Sequence, residues 1–352
     1  MISKTLKLEL KKAFRSPWIF LSLAVLLLCA LMSTVYSIDS YQNILRNGFP
    51  HYFENGKMTV NEYYATWNCY QKWIGSELVS LASTLFFTLL PVCAVLPYAS
   101  AFHQERKVGY LRVMVPQCGR KPYFLAKTLA VFLTGAVVVI LPLLVNFLAV
   151  SAFVPATAPQ VNYSFYNYVL FGDLWVDLFF DQPLLYVLLY ILLDGLFGGL
   201  LALFAFALSF LIPNRVVILV LPLLLLLGLD YLSTMAAGFW SSTPMTISLL
   251  DLLRAAHDAT ARGWVVALEA GILAVFSGAI IWLRGVRSEV YLFFFIWTSA
   301  GGCTQSGGSI CVEPFYLPFC AWTFGTAPVF FRSYTQEPPA AWAIWRCIFL
   351  AA

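Results

Sequence analysis

Charged side chains are scarce in this sequence. Of its 352 residues, 11% are Asp, Glu, Lys or Arg and 61% are hydrophobic, whereas a soluble domain has about 25% charged and roughly 45–50% apolar residues. Much of a folded soluble surface must face water, so this composition excludes an ordinary cytosolic enzyme, a disordered protein and a nucleic-acid-binding protein. The mean hydropathy of +0.81 indicates a protein that is embedded in a lipid bilayer.

Several motifs of catalysis and ligand binding are absent as well. No GxxxxGK[ST], HExxH or GxSxG motif occurs, and the eight cysteines form no CxxC pair and no zinc-ligand spacing. Asp194 and Asp230 invite comparison with intramembrane aspartyl proteases, but Asp194 follows Leu193 rather than Tyr, and Asp230 follows Leu-Gly-Leu rather than Gly-x-Gly. We therefore expect no enzymatic activity, no metal and no cofactor in this chain.

Long apolar stretches dominate the first 290 residues. A transmembrane helix needs about 20 mostly apolar residues, and six stretches meet this length. They are Pro17–Ser37, Leu78–Phe102, Phe124–Phe153, Pro183–Ile212, Val216–Ala236 and Gly263–Leu283. We predict an all-α polytopic membrane protein with six transmembrane helices.

Lysine and arginine lie mainly on one side of these spans. Fourteen of them precede the first span, follow the sixth, or lie in the second-to-third and fourth-to-fifth connections; five lie on the opposite side. Cytoplasmic loops carry such an excess, so the N-terminus is predicted to be cytoplasmic. A cleaved signal peptide is the alternative, but the first apolar run has about 20 residues, longer than the roughly 7–15 residues of the hydrophobic region of a signal peptide.

Two basic segments adjoin the membrane on the predicted cytoplasmic side. In Ile2–Arg15, leucines and Phe14 interleave with lysines, which predicts an amphipathic helix on an anionic membrane surface. The second segment, His103–Lys127, is called the basic connection below. It is either a solvated positive loop or a coupling segment that docks into a cytoplasmic partner. Its candidate coupling residues are Glu105, Arg106, Lys107, Gly109, Tyr110, Arg120 and Lys121.

Aromatic and acidic residues mark the opposite side. The segment Ile38–Glu77 is rich in Tyr and Trp, typical of an interfacial aromatic belt with a small cap, and a substrate-facing gate is the alternative. In Val154–Gln182, three aspartates at a spacing of four residues share one face of a predicted surface helix. The apolar run Met245–Ala256 is too short to span, so it re-enters the membrane or lies on it.

Three acids lie inside predicted spans. Asp194, Asp230 and Glu269 are placed roughly 9–17 Å from the outer ends of the fourth, fifth and sixth spans. A membrane carboxyl costs about 2.5–3.5 kcal/mol on insertion scales, and no basic residue in these spans pairs with it. They are either hydrated singly near the interface or form the acidic lining of one substrate vestibule.

Short motifs in a fixed order resemble exporter-type (type 2) bacterial ABC transporter permeases. They are Lys-x-Glu-Leu-Lys-Lys-x-Phe-x-Ser-Pro at Lys7–Pro17, Pro-Tyr-Ala-Ser-Ala-Phe at Pro97–Phe102, Glu-Arg-Lys-x-Gly-Tyr at Glu105–Tyr110, Arg-Lys-x-Tyr at Arg120–Tyr123 and the end of the fourth span, Ala207–Arg215. The resemblance covers about residues 1–289.

The resemblance implies a six-helix permease domain that dimerises with a second permease subunit, identical or different. A separate ABC ATPase subunit would carry the nucleotide sites and act on the basic connection, and the location would be the bacterial cell membrane. Two alternatives stay open: a secondary transporter that uses Asp194, Asp230 and Glu269 as proton or cation carriers, and a non-transporting immunity or sensory protein. An internal three-plus-three repeat would favour the secondary transporter, and none is convincing here.

Residues 290–352 depart from this pattern. Such permeases usually stop soon after the sixth span, but here a hydrophobic tail rich in Cys, Trp and Phe follows, with four of the eight cysteines. We predict a two-part chain: a permease domain over 1–289 and a tail over 290–352 to which no role is assigned.

Overall fold

A computed structural model of the chain describes residues 2–47, 51–54, 56–60, 67–98, 102, 105, 108–159, 169, 173–239, 248–255 and 262–287. The chain divides into two units, Met1–Phe293 and Phe294–Ala352. The predicted tail, 290–352, lies outside the described residues. All statements below concern the first unit.

Helices account for most of the described chain. They are α1 (Ile2–Phe14), α2 (Pro17–Asn47), α3 (Cys69–Lys72), α4 (Leu81–Val95), α5 (Tyr110–Cys118), α6 (Arg120–Ser151), α7 (Val176–Asp181), α8 (Pro183–Leu208), α9 (Arg215–Phe239), α10 (Leu249–Leu252) and α11 (Gly263–Ile280). A π-helical segment, Ile281–Arg287, follows α11. A two-stranded antiparallel hairpin of β1 (His51–Glu54) and β2 (Lys57–Val60) is the sheet present in the described ranges, with His51 opposite Val60.

Five helices of the described part are long and apolar enough to cross a membrane: α2, α6, α8, α9 and α11 with the residues that follow it. Their positions match five of the six predicted spans, and the chain is a helical, multi-pass membrane protein. The helix α2 runs well past the predicted end at Ser37, and α6 begins at Arg120, four residues before the predicted start.

The helix α4 covers only part of the predicted second span. Its N-cap is Ser80, whose Oγ accepts a hydrogen bond from the Ser83 amide at 3.1 Å. The helix ends at Val95 and a turn follows at 96–98. Fifteen residues rise about 22 Å, short of the roughly 30 Å hydrocarbon core. A sixth crossing by residues 78–102 stays a prediction.

The helix α8 lies at the centre of the bundle. It is the most buried of the five long helices, and it packs against α4, α6, α9 and α11. Glycines allow its close approach to α6: a Cβ placed on Gly135 would lie 2.7 Å from Ala202 Cβ and 2.8 Å from the Gly198 carbonyl oxygen. Small residues at helix contacts are the usual means of close packing in membranes, where no hydrophobic effect drives helices together.

The two ends of the bundle are built differently. One end gathers the first helix, the residues that follow α4, the start of α6 and the ends of α8 and α11; its buried members include Ala13, Tyr98, Phe102, Tyr123, Phe124, Phe206 and Ile281. We call it the basic end. At the distal end, residues 67–77 pack with α7, the start of α8, α10 and the start of α11. There the Ala255 amide donates to the Gly75 carbonyl at 2.9 Å.

Candidate functional site

Four charged side chains meet at the basic end: Glu9, Glu105 and Lys127 are buried, and Lys12 is 43% exposed. Lys127 of α6 is fully buried and its Nζ lies 3.3 Å from Glu9 Oε2 of α1. The same ammonium group forms an ion pair with Glu105, which also pairs with Lys12 of α1. We call Glu9, Lys12, Glu105 and Lys127 the buried charge cluster. It joins α1, the basic connection and α6.

Two tyrosines complete the hydrogen bonds of the cluster. Tyr123 Oη donates to Glu105 Oε2 at 2.9 Å, and Tyr98 Oη donates to Glu9 Oε2. The Lys127 ammonium also lies 4.9 Å from the centre of the Tyr98 ring, within cation–π range. With two carboxylates and two ammonium groups the cluster is formally neutral, which is what burial of charge requires.

Electrostatics within the cluster favour the charged form of Glu105. Burial raises the pKa of this carboxyl, but the ammonium groups of Lys127 and Lys12 outweigh burial and hold the pKa below its ordinary value. Glu105 is only 6% exposed. Its charge therefore acts within the protein, on α1 and α6, rather than on an outside surface.

The other predicted coupling residues surround this cluster. Gly109 has φ +77, a left-handed conformation that favours glycine, and it precedes α5. Tyr110 is half-buried, and its ring lies 4.3 Å from Lys12 Nζ. At the start of α6, Arg120 is half-buried and Lys121 is exposed. Arg106 and Lys107 lie outside the described residues.

Sequence reasoning missed the binding partners of Glu105. The signal was present in helical spacing: Thr5, Glu9 and Ala13 recur every four residues and form the buried face of α1, so the lone acid of that helix points inward. In α6, Lys127 follows Tyr123 by four residues and precedes Ala130 by three, and all three are buried. A charge among small or aromatic buried positions marks an internal ion pair.

The three membrane acids have different surroundings. Asp194 of α8 is fully buried, and neither carboxyl oxygen has a hydrogen-bond partner in the described part of the chain. Glu269 of α11 is half-buried, with an unpartnered Oε2, and Asp230 of α9 is half-buried. Both α9 and α11 pack against α8, but Asp194 makes no hydrogen bond with either acid. A shared vestibule stays a prediction.

The distal end contains a polar site that the sequence analysis did not single out. Asn146 of α6 is fully buried; its Nδ2 donates to the Ala30 carbonyl and to Thr34 Oγ1, both at 2.9 Å, and its Oδ1 accepts from the Ile74 amide at 2.8 Å. These three bonds tie α2, α6 and the segment after α3 together. Asparagine in an otherwise apolar helix is costly in lipid without such partners.

Aromatic residues of the distal end pack inside the protein. We expected an interfacial belt in Ile38–Glu77, but Trp73 is fully buried, edge-on to Phe147 at 6.4 Å between ring centres, and Trp67 is 9% exposed. The predicted surface helix is short, Val176–Asp181, and Asp173 is buried. Within Met245–Ala256 the described helix is Leu249–Leu252, and its leucines are buried in the distal core.

Comparisons with known proteins add nothing to this geometry. No protein-family model, no curated protein and no solved structure matches the chain. The fold and these sites therefore define a multi-pass helical membrane protein, and its function is argued from its own residues.

Proposed function

We propose that this chain is the membrane-spanning permease subunit of an ATP-driven ABC transporter of the exporter type, in the bacterial cytoplasmic membrane. In this proposal the chain crosses the membrane six times with its N-terminus in the cytoplasm, works with a second permease subunit and hydrolyses no ATP itself. A separate ATPase subunit binds at the basic end. The order of motifs along the sequence and the lysine and arginine asymmetry support this assignment.

The buried charge cluster is the observation that carries the proposal. An ATP-driven permease needs a segment that receives a movement from the ATPase and passes it to the spans. Lys127 lies within α6 itself, and its bonds to Glu9 and Glu105 attach α1 and the basic connection directly to that helix. Because α6 packs along α8, a displacement of the connection reaches the centre of the bundle.

Exposed valines at the basic end supply a docking surface for the ATPase. Val108, just before α5, is 84% exposed, and Val113 within α5 is 58% exposed. Both lie in the basic connection, which the charge asymmetry predicts to face the aqueous cytoplasm rather than lipid. The same connection also carries an exposed lysine, Lys121, so a partner groove with an apolar floor and an acidic rim fits this surface.

Co-purification with the ATPase tests the proposal. Val108→Glu and Val113→Glu place charge on the docking surface without touching the buried cluster. We expect both to release the ATPase and to abolish substrate-stimulated ATP hydrolysis while membrane insertion persists. Val79→Glu is the matched control, because Val79 is 69% exposed and lies just before α4, away from the basic end. This variant should retain the ATPase.

Two results would contradict the proposal. One is the absence of any ATPase subunit from the purified wild-type complex; the other is equal retention of the ATPase by Val108→Glu, Val113→Glu and Val79→Glu. Proline at Gly109 is unsuitable for this test, because the φ of +77 at that position is incompatible with the φ of about −65° that proline requires.

A secondary transporter is the second candidate function. The fully buried, unpartnered carboxyl of Asp194 favours it, because membrane acids of ion-coupled transporters bind the coupling ion. In either transporter, a vestibule lined by Asp194, Asp230 and Glu269 would favour a substrate that is cationic or a strong hydrogen-bond donor. Transport that proceeds without any ATPase subunit, driven by an ion gradient, would favour this second function over the first.

A further inference from the structure

Asp194 lies in surroundings that do not suit a charged carboxylate. It is fully buried on α8, about 17 Å along the helix axis from Pro183. Neither Oδ1 nor Oδ2 has a hydrogen-bond partner in the described ranges. One turn earlier on the same helix face, Tyr190 is also fully buried, and its ring centre lies 4.8 Å from that of Tyr186.

No charged side chain on the described helices around α8 pairs with the Asp194 carboxyl. The ionisable side chains on the described helices that pack against it are Cys69, Tyr70 and Lys72 on α3, Cys93 on α4, Arg120, Lys121, Tyr123 and Lys127 on α6, Asp177 and Asp181 on α7, Arg215, Asp230 and Tyr231 on α9, and Glu269 on α11. None of them hydrogen-bonds or ion-pairs with Asp194, and Lys127 is engaged by Glu9 and Glu105.

Access to Asp194 is closed by the contact between α6 and α8. A Cβ on Gly198 would lie 2.7 Å from Val139 Cγ2, and one on Gly135 would lie 2.8 Å from the Gly198 carbonyl oxygen. Real Cβ atoms do not approach other atoms so closely, so α6 and α8 are in direct contact one turn from Asp194, which is itself fully buried. The carboxyl is sealed as long as these helices stay in contact.

Two ligands could neutralise such a carboxyl: a proton or a metal cation. A metal cation requires several oxygen ligands at once, and the described residues contain no group of three His, Cys, Asp or Glu side chains that could hold one. An isolated buried carboxylate takes up a proton instead, because neutralisation avoids most of the cost of burying a charge.

We propose that Asp194 is a proton-binding site: its carboxyl holds a proton while α6 and α8 are in contact and releases it to water when that contact opens. On opening, the carboxylic acid gives its proton to a water molecule and becomes a carboxylate; on closing, the reverse transfer restores the neutral acid. Each opening at this contact then releases one proton to water, and each closing takes one up. This site does not depend on whether an ATPase or an ion gradient drives the protein.

Infrared spectroscopy of the full chain in detergent tests the site directly. Protonated carboxyls absorb in a C=O stretching band separate from that of carboxylates. We expect this band in the wild type near neutral pH, and we expect it to shift only slowly after transfer into deuterated water, because the site is sealed. In a Glu269→Gln background, which removes the other half-buried carboxyl with an unpartnered oxygen, it should disappear in Asp194→Asn and persist in the matched control Asp230→Asn, whose carboxyl is half-buried on α9.

Carbodiimide labelling of the wild type gives a second measurement that needs no variant. Dicyclohexylcarbodiimide takes the proton of a carboxylic acid on one nitrogen while the carboxyl oxygen bonds to its central carbon, and the adduct rearranges to a stable N-acylurea. The reagent reaches the carboxyl only when the contact between α6 and α8 opens, so we expect mass spectrometry to find this adduct at Asp194 after prolonged exposure. The proposal is wrong if, in the Glu269→Gln background, the infrared band is missing or survives in Asp194→Asn. It is also wrong if sodium chloride but not choline chloride removes this band, or if Asp194 forms no adduct after prolonged exposure.

Discussion

Removal of the Lys127 ammonium group is the sharpest test of the buried charge cluster. Lys127→Met keeps most of the side-chain volume and deletes the charge. Among the described residues, Glu9 then retains only the hydroxyl of Tyr98, whereas Glu105 still has Lys12 and Tyr123. The loss therefore falls mainly on Glu9, a carboxylate that is 1% exposed.

The expected magnitude follows from the cost of an unpaired buried charge. Breaking a buried ion pair by removing one partner costs about 3–5 kcal/mol. We expect Lys127→Met to lower the free energy of unfolding by about this amount, measured by titration with SDS in mixed detergent micelles. Lys121→Met is the matched control, since Lys121 is an exposed lysine near the start of the same helix; surface changes stay within about 0.5 kcal/mol.

A double variant separates the charge effect from lost packing. Glu9→Gln combined with Lys127→Met leaves a neutral amide in place of the stranded carboxylate. It should recover part of the loss, with a coupling energy of about 0.5–3 kcal/mol, the range found for residues in one ion-pair network. Equal destabilisation by Lys127→Met and Lys121→Met, or strict additivity of the two changes, would refute the reasoning.

Two further predictions concern pH and topology. Burial raises the pKa of Glu105, but Lys127 and Lys12 bring it below the ordinary value of 4.5. The contribution of Glu105 to stability is therefore present above pH 4.5 and lost as the pH falls below that value. Glu105→Gln should weaken this decrease of the unfolding free energy at acid pH. Single cysteines at Asn55 and Gly119 should react differently with an impermeant maleimide in intact cells, with labelling at position 55 the stronger; stronger labelling at position 119 would reverse the proposed orientation.

Much of the fold follows from the sequence alone because lipid imposes a simple rule. Every backbone polar group inside a bilayer must be satisfied within its own helix, so a long apolar run is a helix whatever surrounds it. Five of the predicted spans are present as long helices for this reason. The helix in the predicted second span is shorter than the apolar run: it begins after the Ser80 cap and ends at Val95. Hydropathy does not describe the local hydrogen bonds on which caps and turns depend.

For the candidate sites as well, the sequence identified single residues and the tertiary structure decided their partners. The sequence identified Glu105 as a candidate coupling residue of the basic connection and Asp194 as an acid inside an apolar span. Only tertiary structure paired Glu105 with Lys127, which is 22 residues away, and brought in Glu9 from 118 residues away from Lys127. Only the packing of α8 left Asp194 sealed and unpartnered while Asp230 stayed half-buried. Depth in the membrane is a property of one helix and can be counted along the chain; the direction of a helix face and the partners it meets depend on several helices together, so the tertiary structure alone decided them.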